Sequence, residues 1–343
     1  MFKFDAESCH ENLINYLELP FAFSENKDFD EWRKGLREKF TEVLGIDKIK
    51  ENACPINFEI EYEELKDGYR LLRLLIETEK NMVVPCYLLI PTTGKEKYPI
   101  AITIQGHKDG GMYNSIGIVK TEDDRGYQPR GSFALQAVSH GFAALCVEMR
   151  GMGELEPKGD ERNKGFCCRY TNLVATSLGR SVIGERVWDV SRAIDVLETF
   201  PELDLSTIVI TGNSGGGTAS FYSACYDERI TLSAPSCAFC NYKESILHWF
   251  HCLCNVIPNA PLNFEMGDLA GLIAPRKLLI IAGKIDDVFP YDGVLSGYAI
   301  AEKIYDKIGK KENLKLVTTP KHHYWCEDVV WPSIKEFLKS EGK

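Results

Sequence analysis

The chain has 343 residues, 44% of them hydrophobic and 26% charged, with a formal net charge of −10 at pH 7. That balance fits a globular protein able to bury a core, and no tract is biased enough to predict disorder. The acidic surplus excludes nucleic acid and anionic membrane surfaces as main partners, and no apolar run approaches the length of a membrane span.

The segment from Met1 to His10 has no apolar stretch behind its lysine, as a secretory signal would require. With twelve cysteines and no such signal, the expected setting is the cytoplasm, with the thiols reduced. Residues up to about Gly45 read as helical. Asp28 and the acidic residues after it offer an N-cap and first turn, and Leu36, Phe40, Val43 and Leu44 recur at helical spacing. Three extended segments follow, Ile56–Leu65, Tyr69–Glu77 and Met82–Ile90, with Lys66-Asp67-Gly68 as a hairpin signal and Pro91 as a stop.

From Tyr98 onward strands and helices alternate. Strands are predicted at Ile100–Gln105, Ala143–Glu148, Thr207–Thr211, Thr231–Ala234, Leu278–Ala282 and Leu314–Thr318. Helices are predicted at Phe133–His140, Glu185–Phe200, Gly216–Tyr226, Gly293–Ile308 and Asp328–Leu338. An antiparallel start leading into βα units implies an α/β-hydrolase fold, with a mostly parallel central sheet and helices on both faces. The expected organisation is one domain over residues 1–343. It would have a helical extension at 1–53 and a core at 54–343, with long insertions at 108–131 and 151–181.

The apolar run before Thr211 enters Gly212-Asn213-Ser214-Gly215-Gly216 and then small residues. A buried strand running into Gly-x-Ser-x-Gly reads as a nucleophile elbow, which lifts a serine hydroxyl above the sheet edge. The other reading is a glycine-rich helix entrance that only permits close packing or phosphate binding. A serine nucleophile needs a base and an acid, which in this fold follow in the order Ser, Asp or Glu, His. Asp286 stands in the loop leaving Leu278–Gly283, with Asp287 as its alternate. His322 and His323 occupy the loop after the last strand, and no other histidine lies downstream of Asp286. The oxyanion donors would be the backbone N–H groups of Gly215 and of His107, in the loop Gln105-Gly106-His107-Lys108-Asp109-Gly110-Gly111.

From about Tyr62 to the C-terminus the chain resembles the acetylxylan-esterase-like, dienelactone-hydrolase-related group of serine α/β-hydrolases. The matching pieces are Gln105-Gly106-His107, Glu148 to Gly153, Gly184 to Asp189, Gly212 to Thr218, Met266 to Arg276 and His323 to Pro332. The spacing of Asp286 from Gly283 and Pro290 matches that of similar hydrolases. Relatives read Gly-Gly-His before the last helix, so counting back from Trp331-Pro332 places the catalytic histidine on His323 and puts His322 where glycine usually stands. Dienelactone hydrolases proper use cysteine, whereas Ser214 groups this chain with the serine esterases. Glu148 and Arg150 read as a structural turn, and Asp189 is expected to pair with Arg192.

The resemblance implies a serine esterase acting through an acyl-enzyme on a small-molecule ester, with a short, most simply acetyl, acyl group on a sugar or similar alcohol. It implies no metal or organic cofactor. Two rivals are a prolyl-oligopeptidase-like peptidase and a non-catalytic binding protein on a hydrolase scaffold. About a hundred residues precede the alternating strands and helices that begin at Tyr98, too few for the propeller of such a peptidase, and a binding protein would carry a degraded triad. Cys237, Cys240, Cys252 and Cys254 lie near His248 and His251 in sequence, which raises a zinc site. The Cys-x-Cys pair is a poor knuckle, and Ile246, Trp249, Phe250 and Leu253 surround it, so these cysteines are expected to pack as small hydrophobes.

Overall fold

The computed structural model describes residues 5–340 except 108–110, 121, 159–166 and 249–250. Its frame is one sheet of nine strands. These are β1 (Asn57–Lys66), β2 (Tyr69–Glu79), β3 (Met82–Pro91), β4 (Tyr98–Ile104), β5 (Ala143–Val147), β6 (Leu203–Asn213), β7 (Leu232–Ser236), β8 (Lys277–Gly283) and β9 (Leu314–Thr319). The spatial order is β1-β2-β3-β5-β4-β6-β7-β8-β9. Strands β1 to β3 pair antiparallel, β3 meets β5 antiparallel, and β5, β4, β6, β7, β8 and β9 run parallel. This is the α/β-hydrolase fold.

The sequence of the strands explains the layering. β4 and β8 are near-continuous apolar runs and are buried along almost their whole length, as strands covered on both faces must be. Alternate residues go to opposite faces. Ile100, Ile102, Ile208, Ile210, Leu278 and Ile280 join one core, while Ala101, Val209, Leu279 and Ile281 join the other. The first core is closed by the helices Val182–Leu197, Gly215–Tyr226 and Tyr291–Lys307, the second by Phe133–Ser139 and Glu327–Lys339. β1 is the exposed edge, and its run of glutamates discourages pairing with another chain.

Helix Phe29–Leu44 opens on Asp28, whose side chain accepts from the Glu31 N–H at 2.9 Å, and closes on left-handed Gly45. Trp32, Leu36, Phe40 and Leu44 enter the first core. The continuous helical reading up to Gly45 is corrected. Helix Ala6–Asn15 is separated from Phe29–Leu44 by residues 16–28, a stretch holding Pro20, whose ring and missing N–H forbid helix continuation. Helix Met266–Ile273 had no sequence signal. It spans only eight residues, all buried, too short a run to stand out from the loops around it. The second long excursion contains a further helix, Cys167–Ser177.

The pairing expected of Asp189 is also corrected. Its carboxylate takes two hydrogen bonds of 2.7 Å from Arg150 and one of 2.6 Å from Thr78. Arg192 instead bonds Asp195 at 2.6 Å, three residues along its own helix. Arg150 also reaches Glu79 at 2.7 Å, tying the turn after β5 to β2 through a fully buried network.

After β4 the chain turns back to β5 on one side, whereas β6 leads to β7 on the other. In parallel sheets the crevice at such a reversal, beyond the carboxyl ends of the strands, is where ligands bind. The loops leaving β4 and β6 carry His107 and Ser214.

Candidate active site

Ser214 sits at φ 56° and ψ −123°, between β6 and helix Gly215–Tyr226. A residue with a Cβ pays about 1–3 kcal/mol for such a backbone, so the surroundings must hold it there. They do so through the Ser214 N–H, which donates to the Ser236 carbonyl at 2.9 Å, and through β4 beside it. A Cβ on Gly212 or Gly216 would collide with the Ile104 carbonyl, so only glycine allows the turn to press this closely on β4. Ser214 itself stays half-buried, and Gly215 begins the helix behind it.

Asp286 and His323 come together. The Nδ1 of His323 lies 2.9 Å from Oδ2 of Asp286, while Oδ1 accepts from the N–H groups of Val288 (2.8 Å) and Phe289 (3.1 Å). Burial works to raise the Asp286 pKa, but the His323 hydrogen bond and charge, with the two backbone donors, hold it below the ordinary value. Asp287 is exposed. Register explains the meeting: Gly283 pairs with Thr319 at the ends of β8 and β9, and Lys284 N–H donates to the Thr319 carbonyl at 2.8 Å. A Cβ on Gly283 would approach the Lys321 and His322 carbonyls to 2.5 Å, so glycine lets the His323 loop fold over the Asp286 loop.

His322 is exposed and His323 half-buried. The His323 ring stacks on Phe289, with centroids 5.9 Å apart and planes at 13°. Behind it, the Trp325 and Trp331 indole N–H groups both donate to Oε1 of Gln136, at 3.0 and 3.1 Å, and Trp325 stacks on Phe133 at 4.2 Å. These anchors fix the base of the histidine loop. Phe289 and Gln136 carried no sequence signal of a site, because their roles arise from segments far apart in the chain.

The loop after β4 starts from Gln105, whose amide donates to the Gly131 carbonyl at 2.7 Å. The ring of His107 lies against the helix after Ser214, its Nδ1 2.9 Å from where a Cβ on Gly215 would stand. Lys108, Asp109 and Gly110 of this loop lie outside the described residues, as do Trp249 and Phe250. Glu148 sits below the loop, and burial pushes its carboxyl up to about 7 despite backbone donors that include Met149 and Glu154.

The four cysteines grouped by sequence do not converge. Cys237 lies behind the triad candidates, its Sγ 3.7 Å from the Tyr324 carbonyl, and burial raises its thiol to about 12. Cys240 faces the Pro290 carbonyl at 3.7 Å. His248 is exposed, and His251 is bonded to Ser245 Oγ at 2.9 Å. Cys252 and Cys254 instead meet His107 and Cys168, with the four ligand atoms within 4.8 Å of one another.

Among the described residues no helix is long and apolar enough to cross a membrane. The sequence profile of the Abhydrolase family matches residues 10–232, a span that includes the elbow and stops before Asp286 and His323. YtaP of Bacillus subtilis, provisionally named a hydrolase, is 23% identical over 276 residues, covering 79% of this chain and 88% of its own. A 4-O-methyl-glucuronoyl methylesterase of Phanerochaete carnosa is 26% identical over 221 residues, and the match spans about half of each chain, 55% of this one and 52% of that one. Among solved structures, a Bacteroides fragilis protein provisionally described as an acetyl xylan esterase superposes with a TM-score of 0.81 at 18% identity, covering 98% of this chain and 96% of that one. A glucuronoyl esterase from Solibacter usitatus gives 0.66 at 16%, covering 95% and 98%. The profile match takes in well over half of the residues and reaches past the elbow, and this chain belongs to the Abhydrolase family of α/β-hydrolases.

Proposed function

We propose that the protein is a serine esterase with Ser214 as nucleophile, His323 as base and Asp286 as the acid that orients it. The observation that carries this is the 2.9 Å contact from His323 Nδ1 to Asp286 Oδ2, made by loops at the same sheet edge as the elbow. With Nδ1 committed to Asp286, Nε2 is the nitrogen free to accept the serine proton. As Ser214 Oγ attacks the ester carbonyl carbon, its proton passes to Nε2. Asp286 steadies the imidazolium, and the alcohol leaves with that proton. Water then repeats the sequence on the acyl-enzyme and releases the acid. Oxyanion charge would be met by the N–H of Gly215, at the positive end of helix Gly215–Tyr226, and by that of His107.

The named relatives support sugar esters as substrates and leave two arrangements. In an acetyl ester the sugar is the leaving alcohol, while in a methyl glucuronate it supplies the acyl group. We favour a short acyl group, in line with the structural likeness to the Bacteroides fragilis protein. Hydrolysis rates for p-nitrophenyl esters of rising chain length, acetylated xylosides, methyl glucuronate and aminoacyl anilides decide this. Acetyl esters should turn over fastest. A preference for methyl glucuronate would move the sugar to the acyl side, and cleavage of anilides alone would replace the esterase with a peptidase.

Asp286→Asn should lower kcat about a thousandfold, since the amide favours the wrong imidazole tautomer. Asp287→Asn should stay within about twofold, because an exposed carboxylate off the hydrogen-bond path has no such hold. Steady-state kinetics of the pair on one p-nitrophenyl ester measure this. Equal losses in both would remove Asp286 from its role.

A further inference from the structure

We propose that His107, Cys168, Cys252 and Cys254 form a closed tetrahedral site for a soft divalent cation, zinc in the first instance, which clasps the loop after β4 to the segments around it. The inference does not depend on the esterase reading, and it departs from the expectation that no metal is bound and that Cys252 and Cys254 only pack.

The first ground is geometry. The four atoms come from three stretches far apart in sequence and lie within 4.8 Å of one another. His107 Nε2 is 3.0 Å from Cys254 Sγ, and the sulfurs of Cys252 and Cys254 are 3.4 Å apart. Zinc bonds sulfur at about 2.3 Å and imidazole nitrogen at about 2.1 Å, so in a tetrahedron neighbouring ligand atoms stand about 3.6–3.8 Å apart. All three cysteines are free thiols. The donor set, three soft sulfurs and one imidazole, suits zinc over the hard cations that prefer oxygen.

The second ground is a charge in need of a partner. Arg186 is 1% exposed, yet its guanidinium has no carboxylate among its hydrogen-bond partners. Nε and Nη2 donate to the Arg150 carbonyl, Nη2 stands 4.0 Å from Cys168 Sγ, and Nη1 has no hydrogen-bond partner among the described residues. A buried cation without a counter-charge is costly. Three neutral thiols would supply no counter-charge. A divalent cation with three thiolates and a neutral imidazole carries one net negative charge, which one guanidinium balances.

With four protein ligands the site has no open position, which marks it as structural and not as a Lewis acid for the substrate. Its consequence for the elbow is positional. His107 lies against Gly215, and Asn255, next to Cys254, accepts from Thr218 Oγ1 at 3.0 Å in the helix that follows Ser214. The clasp would therefore hold the His107 loop and the 252–255 segment on that helix.

The full chain, purified under reducing conditions, chelator-stripped and then incubated with zinc and desalted, should retain one zinc per chain by elemental analysis. Cobalt(II) loaded in its place should give thiolate charge-transfer absorption and the ligand-field bands of a tetrahedral centre. Stripping should lower the melting temperature by on the order of 5 °C or more. Cys168→Ser, Cys252→Ser and Cys254→Ser should each weaken retention by at least about tenfold, while Cys9→Ser should retain zinc fully. The zinc and cobalt measurements on the wild type stand even where a variant fails to fold. Retention below about a tenth of an equivalent, with thiol reactivity unchanged by zinc, would falsify the site. A metal-free protein in which Cys252 and Cys254 form a disulfide under these conditions overturns it equally.

Discussion

Ser214→Ala is expected to lower ester hydrolysis by about ten-thousandfold or more while the fold and melting temperature stay as they are. The two halves of that expectation have separate causes. In the proposed mechanism the hydroxyl forms and breaks the covalent bond to the acyl group, so without it only binding and oxyanion stabilisation would remain. The retention of fold follows from the backbone. Ser214 is held at φ 56° by its N–H bond to Ser236 and by the glycine contacts with β4, and alanine has the same Cβ and therefore the same strain. A serine-directed organophosphonate should label Ser214 in the wild type and nothing in the variant, as read by peptide mass spectrometry. Near wild-type turnover in the alanine variant, or labelling elsewhere, would take the nucleophile away from this residue.

What the sequence disclosed depended on whether a contact leaves a local mark. The elbow was legible because a tight backbone approach demands glycine at fixed offsets from the serine, and Gly212 and Gly216 are those positions. The meeting of Asp286 with His323 was legible because each follows a strand, and the parallel pairing of β8 with β9 puts both loops at one edge. The sheet was legible for a similar reason, since its buried strands are apolar runs with turn signals between them. Contacts set by tertiary packing left no such mark. Asp189 pairs with Arg150, 39 residues away, and not with Arg192 on its own helix, because the side of the helix it occupies faces β2 and the turn after β5. Helix Met266–Ile273 is only eight residues long and buried throughout, so its pattern is too short to separate from its surroundings. The cysteine cluster was grouped by nearness in sequence, whereas the convergent set draws His107 from the loop after β4 and Cys168 from the second long excursion and leaves Cys237 and Cys240 aside.

His323→Ala should cost about as much activity as Ser214→Ala, and His322→Gly should stay within about threefold of wild type, because members of a triad act as a unit and a solvated neighbour does not. The geometry separates the two adjacent rings. His323 is bound to Asp286 at 2.9 Å and stacked on Phe289, which fixes which nitrogen faces away from the carboxylate. His322 is exposed, and its part in the loop is its carbonyl above Gly283, which glycine would keep. Removing His323 also leaves Asp286 buried with only its backbone donors, so the alanine variant should be less stable by about 1–3 kcal/mol. The pH dependence identifies the source of that loss. A carboxylate whose folded pKa is depressed contributes stability above its unfolded value and surrenders it as pH falls through the folded one. Without His323 the Asp286 pKa moves up toward its unfolded value, so less stability is lost between the two values as pH falls, and the melting-temperature gap between wild type and variant should narrow at acid pH. Kinetics measured well below the melting temperature keep the catalytic effect apart from this structural one. If His322 proves indispensable and His323 dispensable, the loop is shifted by one residue in the working enzyme.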